Sequence, residues 1–154
     1  DPARKRVVIF SPHPDDDVIS MGGTFLRLVE QGHDVHVAYQ TSGNIAVHDY
    51  DALRFIEFIQ EFNTNIDIFK EDSEATLEKA ADALRSKKSF EKDIEEVQLI
   101  KGLIRRGEAR AGARFCGLPD SNIHFLDMPF YETGSTRKNS IGEADIQIIK
   151  DLKK

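Results

Sequence analysis

The sequence predicts an α/β fold built on a mostly parallel sheet, and three observations carry that prediction. "RVVIF" at Arg6–Phe10 is an unbroken apolar, β-rich run, the pattern of a parallel strand buried on both faces. Strand, polar loop, helix and strand then succeed one another within about 40 residues, which makes a βαβ unit with the usual right-handed crossover. The polar clusters fall just after the strands, where open α/β sheets place their ligands.

The elements follow in order. In "ISMGGTFLRLVEQG", Ile19, Phe25, Leu26, Leu28 and Val29 form an apolar stripe, and Gly32 supplies a helix stop. The glycines Gly22 and Gly23 lack G-x-G-x-x-G spacing, so they read as small residues for close strand–helix packing rather than as a nucleotide loop. Val35, Val37 and Tyr39 alternate with His36 and Ala38 to give a second strand, broken by Thr41-Ser42-Gly43. From His48 to about Phe115 the spacing is helical, first through Ala52, Phe55, Ile56, Ile59 and Phe62. A charge-dense stretch from Glu74 to Ser89 has a thin stripe of Leu77, Ala80, Ala81 and Leu84. A longer segment, Ile94 to Phe115, carries Val97, Ile100, Leu103, Ile104 and Ala111 on one face. Both charge signs are mixed from Lys70 to Lys101, which predicts a solvated helical surface. A third strand is expected at Ile123–Leu126, then a loop with Asp127, Tyr131 and Glu132, then another helix from Gly142. The chain thus reads as one domain over 1–154, with a helical insertion at about 48–93 and its last helix cut short.

Composition narrows the function. A chain of 154 residues suits one hydrophobic core. Lys and Arg number 21 against 27 Asp and Glu, and the net charge of −6 disfavours nucleic acid or an anionic membrane as partner, since both want a basic stripe. No apolar run reaches membrane-span length and the start has no signal-peptide core. The one cysteine, Cys116, allows no internal disulfide, fits a reducing cytoplasm, and sits at the apolar end of a helix as a core residue.

The most informative stretch is "SPHPDDDVIS". Pro14 keeps His13 extended and stiffens the turn. Asp16, three residues on, comes back beside His13, so an imidazole nitrogen and a carboxylate oxygen form half of a site for a divalent ion such as zinc. Asp15 then faces the open side as a general base for metal-assisted hydrolysis. The alternative is that the three aspartates cap the following helix, a role that suits Asp17 but explains neither His13 nor the two prolines. Elsewhere, Arg105 pairs with Glu108 one helical turn on, as a substrate-gripping fork or as a surface ion pair. Ser42 and Gly43 line a pocket or merely make a turn, and Asp127 stands where it can meet a ligand's hydroxyls. His36 and His124 read as packed or surface strand residues, His33 as a helix-end residue, and His48 as a loop residue.

"SPHPDDDVISMGGTFLRLVEQGHDVHVAYQTSG" resembles the opening of the LmbE / PIG-L family of zinc-dependent N-acetylglucosaminyl deacetylases, with its P/AHPDDE signature. "IRRGEARAGARFCGLPDSNIHFLDMPF" is similar to the family's R-x-x-E…FLD segment, and the two stretches cover about 60 residues. The wording is also similar to the deacetylase-like domain that some bacteria fuse behind a glucosamine-6-phosphate deaminase, which implies an N-terminal deaminase domain as partner. The resemblance implies a Rossmann-like three-layer α/β/α sandwich, His13 and Asp16 as zinc ligands, Asp15 as base, Arg105 as substrate-binding, and an amino sugar as substrate. It also implies a third ligand, a histidine in a stretch expected beyond Lys154, and Asp17 replaces the family's glutamate. A different outcome is also open: a non-catalytic sugar-phosphate-binding or regulatory domain, docking through the charged insertion.

Overall fold

A computed structural model describes residues 3–66, 71–130 and 139–152. The elements run β1 (Arg6–Ser11), α1 (Asp16–Glu30), β2 (Asp34–Tyr39), α2 (Asp49–Ile66), α3 (Glu71–Ser86), α4 (Glu95–Phe115), β3 (Ile123–Phe125) and α5 (Glu143–Leu152). The protein is mostly helical around a small parallel sheet of order β1-β2-β3, an α/β architecture. The chain divides into two compact units, Asp1–Gly43 with Arg105–Lys154, and Asn44–Ile104. No helix among the described residues is long and apolar enough to cross a membrane.

In the sheet unit, register pairs Ser11 with Tyr39 and Tyr39 with Phe125. The period of two sends Val35, Val37 and Tyr39 to one face, where they pack with Ile9, Ile123, Phe25 of α1, and Ala109 and Ala113 of α4. Cys116 and Leu118 complete that core, as expected for the thiol. The other face departs from the expectation of a strand buried on both sides. Val8 and Phe10 are 36% and 42% exposed, because the helices of this core cover only the Ile9 face. Phe10 instead borders a groove of about 570 Å³ shared with Met128, Phe130, Ile146 and Ile149. Also on that side, His36 Nδ1 lies 3.0 Å from His124 Nε2, and His36 Nε2 lies 3.3 Å from Asp34 Oδ1. Burial and then the neighbouring His36 hold the His124 imidazole below its ordinary value. His33 closes α1 after Gly32 (φ 77°), its amide donating to the Leu28 carbonyl.

Helix α1 is kinked at Met21 (φ −146°, ψ 23°). A Cβ at Gly22 or Gly23 would meet no atom within 4 Å, so close packing does not call for these glycines. Their weak helix propensity beside the kink is the better account. Ile19, on the predicted stripe, precedes the kink and is exposed.

The helical unit has its own core of Val47, Ala52, Ile56, Ala80, Ala81, Leu84 and Val97. Phe55 and Phe62 of the expected stripe are largely exposed. Nor is the mixed-charge region simply a solvated surface. Lys101 is 3% exposed, and its Nζ donates to Asp49 Oδ1 at 2.5 Å and Asp93 Oδ2 at 2.7 Å. Lys87 joins the same two carboxylates. Paired carboxylates make the burial of this cation tolerable.

Candidate active site

The site begins where β1 ends. Beyond Ser11 the chain wraps around the His13 carbonyl, which accepts the Ser11 hydroxyl at 2.6 Å and the Asp15 amide at 2.8 Å. Asp16 Oδ2 accepts the His13 amide at 3.0 Å and lies 2.9 Å from His13 Nδ1. Imidazole and carboxylate therefore converge, with side chains 43% and 36% exposed.

Asp15 occupies the N-cap position of α1, yet its side chain makes no cap bond. Its Oδ2 receives Arg105 Nη2 at 2.8 Å, while Arg105 Nη1 reaches Glu108 Oε2 at 2.5 Å. Burial disfavours the guanidinium charge, but these two carboxylates outweigh it and hold Arg105 above its ordinary value. Glu108 was readable from i+3 spacing; Asp15, ninety residues away, was not.

Asp17 is no cap either. It is 2% exposed, accepts the Tyr39 hydroxyl at 2.8 Å, and its amide donates to Ser11 Oγ at 3.0 Å. Burial first, and then the Asp17 carboxylate, push the Tyr39 phenol far up and keep it protonated. This buried bracket under the turn has no local signature, since its partners meet only across β1 and β2.

The loop after β2 holds the turn from the side. Thr41 Oγ1 donates to the Pro12 carbonyl at 2.8 Å. Gly43 (φ 66°) passes so close that a Cβ would lie 2.7 Å from Pro14 Cδ and 3.4 Å from Arg105 Nε. Glycine is thus required by contact and by backbone conformation together. Ser42 beside it is half-buried. Asp127 (φ 43°) follows β3 and bonds the Arg106 guanidinium. Tyr131 and Glu132 lie outside the described residues. His48 belongs to the helical unit, where its carbonyl starts α2.

Two donors of a tetrahedral zinc centre with bonds of about 2.0–2.2 Å stand roughly 3.3 Å apart. His13 Nδ1 and Asp16 Oδ2, at 2.9 Å, need to part by only a few tenths of an ångström to share an ion. The donor chemistry of this pair fits two positions of such a centre. Among the described residues, no group of three or more His, Cys, Asp or Glu is placed to hold a metal.

Comparison with known proteins bears on the family of the chain. Residues 8–154 match the PIG-L family, GlcNAc-PI de-N-acetylase. The chain is 55% identical over 155 residues to a glucosamine-6-phosphate deaminase-like protein of Bacteroides thetaiotaomicron, covering 98% of this chain and 23% of that protein. It therefore spans less than a quarter of that curated relative. No solved structure matches. A match over nearly the whole length, on a chain whose HPDD turn brings His13 and Asp16 together, places this protein in the PIG-L family.

Proposed function

We propose that the protein is a metal-dependent amidohydrolase that removes the acetyl group from an N-acetylglucosamine-type sugar. The observation that carries this is the convergence of His13 Nδ1 and Asp16 Oδ2 on one point, with Asp15 directed elsewhere. His13 and Asp16 hold the ion, and a third ligand in the full-length protein comes from outside the described residues. When bound, a zinc-type ion polarises a carbonyl and acidifies water. Asp15 takes one proton from the attacking water on Oδ1, the oxygen that Arg105 leaves uncovered. It then returns that proton to the amine nitrogen as the C–N bond breaks, so acetate and the free amino sugar depart. Arg105, clamped by Asp15 and Glu108, orients Asp15 and offers the remaining N–H of its terminal nitrogens to the sugar. Ser42, the Gly43 backbone and Asp127 line the sugar's side of the pocket. Completion of the sheet as a three-layer sandwich, a cytoplasmic setting and a deaminase moiety in the same chain belong to the same proposal.

Metal analysis and acetate release on the full-length protein test it. About one zinc per chain is expected, lost in His13→Ala. Asp15→Asn is expected to keep the metal and to lower acetate release by about 10²–10⁴-fold. Undiminished turnover in Asp15→Asn would remove the base from the mechanism.

A second reading draws on the helical unit. There Phe58, Phe62, Leu99 and Leu103 are exposed around an apolar groove of about 500 Å³, which favours a docking or regulatory role beside a deaminase. Sugar-phosphate binding with neither metal nor acetate release would decide for it.

A further inference from the structure

The sheet delivers a second charged cluster to the same end of the strands. Register aligns Ser11, Tyr39 and Phe125 in one row. His13 stands two residues beyond Ser11, and Asp127 two residues beyond Phe125. Both lie past the carboxyl ends of their strands, and two strand spacings, roughly 10 Å, separate them laterally.

Phe125 is loaded with charge. The Arg106 and Arg110 guanidinium carbons lie 5.2 Å and 5.1 Å from its ring centroid. Arg106 also bonds Asp127, which sits at a positive φ. Arg110 makes no hydrogen bond among the described residues, and its charge acts on the Asp120 carboxylate. Two cations on one ring repel each other. Each gains only about 0.5–1 kcal/mol from an exposed aromatic face. A cation–ring contact of this kind makes no use of the N–H groups, and a guanidinium's planar N–H fork suits a planar or tetrahedral oxyanion.

We propose that Arg106 and Arg110, seated on Phe125, form an anion subsite for the phosphomonoester of an amino sugar whose acetamide lies at His13 and Asp16. The position of the sugar rests on the deacetylase reading above; the anion subsite rests on its own residues. The lateral spacing is that of one hexose with its substituents. Asp127 holds Arg106 until the anion arrives, then turns to a ring hydroxyl.

Calorimetric titration of the full-length protein with N-acetylglucosamine 6-phosphate, N-acetylglucosamine and inorganic phosphate tests this. The phosphosugar is expected to bind at least tenfold tighter than the plain sugar, with a steep salt dependence. Arg110 is exposed, so Arg110→Ala should fold, and the ratio should fall toward one. Arg110→Lys, which keeps charge without the planar fork, should restore only part of it. A wild-type ratio near one, or a ratio untouched by Arg110→Ala, overturns the subsite. Inorganic phosphate binding as tightly as the phosphosugar overturns the sugar's part in it. A preserved ratio without acetate release would sink the deacetylase reading alone, whereas acetate release with a ratio of one would sink the subsite alone.

Discussion

Asp17 shows how far a residue's meaning depends on partners distant in the chain. Three adjacent carboxylates look alike in sequence, but the fold sends them apart: Asp15 to Arg105, Asp16 to His13, Asp17 to Tyr39 and Ser11. Tyr39→Phe leaves the buried Asp17 carboxylate without its hydroxyl donor and should cost about 1–3 kcal/mol in urea unfolding. The phenol's folded value is raised above its unfolded value of about 10. Its contribution is therefore full below about pH 10 and is lost as the pH rises beyond it. Wild-type urea midpoints should fall more steeply between pH 8 and pH 11 than those of Tyr39→Phe; equal slopes would remove the phenol from the account. What was legible here was local. His13 with Asp16 and Arg105 with Glu108 are three residues apart, and a turn or helix suffices to join them. The Tyr39–Asp17 and Arg105–Asp15 pairs exist only after strands pair and α4 packs, so no spacing announces them.

At the level of elements, helix α4 carries both Lys101 in the helical unit and Arg105 in the sheet unit. Periodicity located α2, α3 and α4 to within a few residues, because apolar spacing directly reports a helix face. It missed the Lys101 cluster because a charged residue reads as solvated until its partners converge. Lys101→Met removes a cation from two carboxylates and should cost roughly 2–4 kcal/mol, less than a fully buried pair because Asp49 is 43% exposed. Burial works against the Asp49 charge, yet its lysine partners prevail and hold the carboxyl below its ordinary value. Its contribution is then present above about pH 4 and is lost as the pH falls through the depressed value. Helical CD followed in urea at pH 7, 4 and 3 should show an acid loss in the wild type that flattens in Lys101→Met.

Across the whole molecule, each unit has its own core, so local stability should differ between them. Ile56→Ala, at a fully buried position of the helical core, should cost about 2–4 kcal/mol. Hydrogen exchange should then quicken within residues 44–104 more than in β1 and β2; uniform acceleration would mean one cooperative unit. The βαβ start, the third strand and the strand-end position of the HPDD turn were all readable, since each rests on short-range pattern. The open face at Val8 and Phe10 was not, because a strand's apolar run does not say which of its two sides other elements cover. The parallel register has one last consequence. Side chains alternate along β3, so gaining or losing a single residue between Cys116 and Ile123 would send His124 and Phe125 each to the opposite face of the sheet. The imidazole would move to the face that holds Tyr39 and the benzyl group to the face that holds His36, unseating both arginines in one stroke. In that connector, length is as binding a requirement as chemistry.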